Sequence, residues 1–235
     1  MIKDKELVAT AYTGKAAKTY DDLRFTTKQG LLFDTLEWEE LKKVAAVTTK
    51  AGSVLELGCG TARFSKRLAE LGFRVRAVDP SAQMIQIAAE KCKDLDHVTF
   101  AQEQATALSS NDCTFDLVFA IRVTNQTESK EYALRMVREM VRVAKPGGLI
   151  LIEFTNSRRP LKRKSDDVRL AFSEISKVGC KSGCRIESRR GILVFSKSVM
   201  DRMPGPLIPL WAIIERLSAR FFWRWASRGY ILLRK

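Results

Sequence analysis

The sequence predicts an α/β fold: a doubly wound, mostly parallel sheet of seven strands with helices on both faces. Three observations carry this. From Ser53 to about Thr155, short apolar runs alternate with amphipathic stretches, the pattern of repeated strand–helix units. The run Leu149–Phe154 (LILIEF) reads as continuously apolar, as suits a central strand covered on both faces. Glycine and proline punctuate the units at Gly58, Gly60, Gly72 and Pro146–Gly148.

In chain order, Ser53–Leu57 reads as a buried strand and Thr61–Leu71 as a helix closed by Gly72. Arg74–Asp79 is a second strand, and Ser81–Lys93 a second helix. Strands follow at Val98–Ala101 and Phe115–Ile121, a helix at Lys130–Ala144, a Pro-Gly-Gly turn, and a fifth strand at Leu149–Phe154. Outside that block, residues 5–47 read as mainly helical, and Arg158–Lys164 as a basic linker. A helix near Asp166–Val178 and a strand near Arg185–Phe195 come next. Leu207–Ser227 carries Leu, Ile, Trp and Phe around Arg216, Arg220 and Arg224, which four-residue spacing puts on one helical face. Tyr230–Leu233 suits a last strand. The expected organisation is a single domain over 1–235: a helical lid at 1–50, a ligand-binding core at 51–157 and a basic part at 158–235.

Composition narrows the function classes. With 46% hydrophobic and 29% charged residues the chain is ordinary globular material, far from a disordered composition. Its first residues mix both charges without an apolar stretch, so no signal peptide is expected and a cytoplasmic location follows by default. Five scattered cysteines (Cys59, Cys92, Cys113, Cys180 and Cys184) and a single histidine, His97, make free thiols the reading and exclude a metal site. The net charge of +14 is concentrated: residues 158–235 hold 19 basic against 6 acidic side chains. Such a region suits an anionic membrane surface, nucleic acid or an acidic substrate, or is simply a solvated face.

The chemistry concentrates at Val54-Leu55-Glu56-Leu57-Gly58-Cys59-Gly60-Thr61-Ala62-Arg63, a strand running through a glycine turn into a helix. Glycine permits positive φ and close backbone approach, so a nucleotide-like ligand can lie there beside a helix N-terminus. A dinucleotide fingerprint wants a small residue where Arg63 stands, so a pyrophosphate cofactor is disfavoured. Asp79, closing the second strand, is placed to accept hydrogen bonds from ribose hydroxyls; alternatively it only caps the helix that follows.

The segments VLELGCGTARF, AVDPSAQMI, FDLVFA and AKPGG together resemble the successive motifs of class I S-adenosylmethionine-dependent methyltransferases, over about residues 53–154. The resemblance implies a Rossmann-like methyltransferase fold, S-adenosylmethionine as cofactor, and cofactor contacts from Glu56, Gly58, Gly60, Asp79, Pro80 and Met84. It also implies that Gln104 and Ala105 flank the adenine, Gln104 standing where many members have an acid. Upstream, the segment around Tyr20 and Arg24 is similar to the family's cofactor lid, although Tyr20 reads equally as an amphipathic side chain with a buried ring.

Methyl transfer rests largely on positioning, and no general base announces itself. His97 precedes the third strand, at the wrong end of the sheet. Arg122 and Asn125 after the fourth strand, and Asn156 after the fifth, are placed to face a substrate or to cap loops. The chain has Ala120-Ile121-Arg122-Val123 where members acting on exocyclic amines of bases or on glutamine carry an Asn-Pro-Pro-Tyr type of motif, which favours oxygen, carbon, sulfur or alkyl-amine acceptors. The leading expectation is a methyltransferase for a small-molecule or lipid-like acceptor, with the C-terminal amphipathic helix either closing the core or resting on an anionic membrane. An RNA methyltransferase using the basic third, and a non-catalytic cofactor-binding protein, are the alternatives.

Overall fold

The structure, a computed structural model, describes residue 21 and residues 26–159, 167–193 and 208–235. Its centre is a seven-stranded sheet of β1 (Ser53–Leu57), β2 (Arg74–Asp79), β3 (Val98–Gln102), β4 (Phe115–Ala120), β5 (Ala144–Thr155), β6 (Arg185–Ile192) and β7 (Arg228–Arg234), in the order β3-β2-β1-β4-β5-β7-β6. The first five strands are parallel, and β7 runs antiparallel between β5 and β6. All seven expected strands are present.

Side-chain alternation explains the apolar strand sequences. In β4, Val118 and Ala120 enter a core shared with α4 (Lys130–Val143) and α5 (Phe172–Lys181), while Leu117 and Phe119 enter a second core under α1 (Lys28–Ala45) and α2 (Arg63–Glu70). β5 divides likewise, Ile150 and Ile152 to one side and Leu149 and Leu151 to the other. Both faces of the sheet are therefore covered, which is why these strands lack polar alternation. The Pro146–Gly148 turn lies within β5: Phe115 pairs with Ala144, and the next pairing is Leu117 with Leu149.

Helix ends follow local chemistry. Thr27, Ser81 and Ser129 cap α1, α3 (Ala82–Lys91) and α4, each side-chain oxygen accepting a backbone N–H of the first turn. Helix α2 begins two residues later than the sequence reading because Ala62 is left-handed, at φ 63°. The last helix, α6 (Ile208–Phe222), stops before Arg224, which sits in a tight turn at Trp223–Trp225. This corrects the expected row of three arginines: Arg216 pairs with Glu39 of α1, Arg224 lies beyond the helix, and the Arg220 side chain falls outside the described residues.

The two readings of that helix divide between its faces. Trp211 is half-buried against the core under α1, and Glu215 is buried. Leu210, Ile213, Leu217 and Phe221, at three- and four-residue spacing, are exposed. Trp223 faces inward, its ring edge-on to Phe172 at 4.8 Å, whereas Phe222 and Trp225 stack on each other at the surface. No helix among the described residues is long and apolar enough to cross a membrane.

Candidate active site

The chain runs from β1 outward to β3, then crosses back to β4 on the other side of β1. Connections leave in opposite directions at that switch point and open a crevice at the carboxyl ends of the strands, where doubly wound sheets bind ligands. A cleft lies there and holds about 1020 Å³ counted to its open mouth. Its lining includes Glu56, Gly58 and Gly60 from the end of β1, Asp79, Pro80 and Met84 after β2, Ala105 after β3, and Arg122 after β4.

The two glycines of the turn are glycines for different reasons. Both are left-handed, at φ 66° and 53°. A Cβ on Gly58 would stand 2.5 Å from Val123 Cγ2, so this residue lets the turn press against the loop after β4. A Cβ on Gly60 would meet nothing within 4 Å, so the backbone there is open to a ligand.

Asp79 braces the turn. Its Oδ2 accepts from Gly60 N at 3.0 Å and its Oδ1 from Ser81 N at 2.9 Å. Burial pushes its carboxyl up, and these two N–H donors oppose that push. The helix-capping alternative thus holds in part, since Ser81 supplies the cap itself while Asp79 fixes the loops on either side. Glu56 is more deeply enclosed. Burial raises its pKa to about 7, against a hydrogen bond from the Ser65 hydroxyl and the charge of Arg63.

The wall facing α1 is a buried charge network. Glu37, 1% exposed, accepts from Arg63 Nη2 at 2.7 Å and lies 3.3 Å from Arg122 Nη1. Asp34 binds both Arg63 and Arg67. Burial works against the Arg63 charge, but Glu37 and Asp34 outweigh it and hold the guanidinium protonated. In the sequence Arg63 argues only against a dinucleotide, and the signal for this network is Asp34 and Glu37, two acids three residues apart on α1.

Not all expected site residues meet at the cleft. Gln104 is not part of its lining: its Oε1 accepts from the Tyr132 hydroxyl at 2.9 Å, and Tyr132 lines the cleft instead. Asn156 is buried away from it as a structural tie, its Nδ2 donating to the carbonyls of Arg224 and Ala226 at 2.9 and 3.0 Å, its Oδ1 accepting from Arg158 N. Asn125 also lies outside the lining, and among the described residues its Oδ1 has no hydrogen-bond partner. Tyr20 and Arg24 fall outside the described residues. His97 is exposed at the start of β3, away from the cleft, and no metal-binding cluster occurs among the described residues.

Residues 54–148 match the family model described as a methyltransferase domain. The ubiquinone/menaquinone biosynthesis C-methyltransferase of Hahella chejuensis is 30% identical over 189 residues, covering 74% of this chain and 73% of that protein. A Bacillus subtilis protein named as a methyltransferase, YqeM, is 31% identical over 117 residues, covering 49% of this chain and 47% of its own length. The chain thus spans about half of one relative and nearly three quarters of the other. In architecture it matches the magnesium protoporphyrin IX methyltransferase of Synechocystis, solved with bound S-adenosylmethionine, with a TM-score of 0.71 and 15% identity over 100% of this chain and 98% of that one. The chain belongs to the class I S-adenosylmethionine-dependent methyltransferases. It is an enzyme of that class, and S-adenosylmethionine is its methyl donor.

Proposed function

We propose that this enzyme methylates a small, lipid-like acceptor of the hydroquinone class, with the cleft at the β1/β4 switch point holding the cofactor. The observation that carries the reading is that Glu56, Gly58, Gly60, Asp79, Pro80, Met84 and Ala105, from three separate loops, line one cleft together with Arg122. The quinone-pathway name of the Hahella chejuensis relative supports the acceptor class.

When bound, S-adenosylmethionine supplies an electrophilic methyl group on a positively charged sulfur. The residues of the chain do the rest. The bare backbone at Gly60 admits the methionine part, and Asp79 keeps free lone pairs for ribose hydroxyls. Pro80, Met84 and Ala105 give apolar contact for the adenine. Tyr20 and Arg24 belong to the lid in this reading. A cationic ligand would favour the ionised forms of Glu56 and Asp79, which burial alone disfavours. Arg122 presents a guanidinium to the acceptor, where it favours an ionised ring oxygen and so makes the ring carbon more nucleophilic. Transfer would put the methyl group on the ring carbon at the expense of the methyl–sulfur bond, and the ring proton would leave to solvent.

The exposed row on α6 extends the reading. Leu210, Ile213, Leu217 and Phe221, in a part of the chain with 19 basic and 6 acidic residues, suit an anionic bilayer in which an apolar acceptor dissolves. Incubation with labelled S-adenosylmethionine and a short-chain 1,4-naphthohydroquinone tests the acceptor class. A product heavier by one methylene, with the label on a ring carbon, is expected. No transfer to the reduced ring, while the same protein labels a component of added cell extract, overturns it.

A further inference from the structure

Arg122 is held in a conformation that side chains avoid. Its φ is 64°, the left-handed region, which is strained for a non-glycine residue and persists only where surrounding structure enforces it. The enforcement comes from the strand behind it. Glu153, fully buried in β5, accepts a hydrogen bond from Arg122 N on Oε2 at 2.7 Å. Its other oxygen, Oε1, is 3.0 Å from Arg228 Nη1 of β7, which also donates to Thr155 Oγ1 at 3.0 Å. The loop is tied from both sides, since Thr124 Oγ1 donates to Glu153 O and Gln126 Nε2 to Arg122 O.

A carboxylate inside an otherwise apolar central strand is costly, and hydrophobic replacement of a buried ion pair is often neutral or stabilising. The pair by itself therefore implies no gain in stability. What the pair does is geometric: with each oxygen of Glu153 committed to one donor, the Arg122 backbone is pinned so that its side chain turns to the cleft wall beside Glu37.

We propose that Glu153, fixed by Arg228, is the positioning residue for Arg122, and that this relay from β7 through β5 sets the enzyme's grip on its acceptor without touching cofactor or acceptor. The proposal rests on the reading of Arg122 as the acceptor-facing group. It assigns a role to the antiparallel β7: by running between β5 and β6, it brings Arg228 beside Thr155 and within reach of Glu153.

The test is a double-mutant cycle on the full chain, with S-adenosylhomocysteine affinity by calorimetry and steady-state kinetics on a short-chain 1,4-naphthohydroquinone. In Glu153→Gln, an amide has one acceptor oxygen for two donors, so one of the two ties must break. The expected result is an acceptor KM raised on the order of tenfold, the scale of a lost charge-assisted hydrogen bond, with cofactor affinity within about twofold of wild type. In an Arg122→Gly background, where left-handed backbone needs no clamp and no guanidinium exists to aim, Glu153→Gln should leave KM unchanged. Should Glu153→Gln fail to fold, Arg228→Lys, which keeps the charge but loses the planar fork, is read the same way. Equal effects of Glu153→Gln in both backgrounds, or a parallel loss of cofactor affinity, overturn the positioning role. If Arg122→Gly itself leaves KM unchanged, the acceptor reading of Arg122 fails and the relay has no acceptor to grip.

Discussion

The Oδ2 atom of Asp79 lies 3.0 Å from the backbone nitrogen of Gly60, so the acid that closes β2 and the glycine turn that follows β1 are one unit. Asp79→Ala should weaken S-adenosylmethionine binding by roughly 1.5–3 kcal/mol, the scale of hydrogen bonds to a charged group, while the protein stays folded. Calorimetry on a folded variant checks this, and unchanged affinity would remove Asp79 from the cofactor site.

What was legible in the sequence follows from how local each signal is. The strands and the glycine turn are encoded in contiguous residues, so β1–β5 and the stretch of cleft lining from Glu56 to Met84 could be read directly. Whether β7 runs parallel or antiparallel is not written in Arg228–Arg234 itself, because direction is decided by the strands it pairs with. Glu37 and Arg122 stand 85 residues apart, and Glu153 and Arg228 are separated by 75, so neither pair announces itself along the chain. The one visible clue was the acid inside Leu149–Phe154. Asn156 misled for the complementary reason: a polar residue after a strand serves a substrate or a turn equally well, and only the positions of Arg224 O and Ala226 O decide.

Gly60→Val should abolish cofactor binding and leave a folded protein. A side chain there enters open cleft rather than packed core, and the φ of 53° adds about 1–2 kcal/mol of backbone strain. Thermal melting beside calorimetry separates the two effects; tight binding by the variant would place the cofactor elsewhere.

Glu56 makes stability depend on pH in the direction opposite to a salt-bridged acid. Its folded pKa, about 7, lies above the ordinary 4.5, so its contribution is fully present below about pH 4.5 and is lost as pH rises through 7. The loss is on the order of 3 kcal/mol. Glu56→Gln should therefore flatten the decline in stability between those values in cofactor-free protein. Denaturant titrations at pH 5 and pH 8 measure it, and identical slopes in wild type and variant would contradict it.

Arg63 is the centre of the buried network under α1. Arg63→Met leaves the Glu37 carboxylate in the core with Arg122 as its remaining ion-pair partner among the described residues, and should cost roughly 3–5 kcal/mol, the price of breaking a buried pair. A denaturation midpoint equal to wild type would show that the network is dispensable.

The outer face of α6 separates from its inner one by mutation. Phe221→Glu, at a residue 73% exposed, should fold as wild type and float less with anionic vesicles, whereas Trp223→Glu should lower the melting temperature because its ring packs on Phe172. Wild-type protein that does not float at low salt would leave the row without a bilayer to meet.

The most direct measurement follows the methyl group itself. Protein incubated with methyl-labelled S-adenosylmethionine and cell extract is partitioned into organic, aqueous, protein and RNA fractions, with Gly60→Val as the control. Label in the organic fraction that the variant does not produce is the expected result; label in RNA or protein, or equal labelling by the variant, would contradict a small lipid-like acceptor methylated at this cleft.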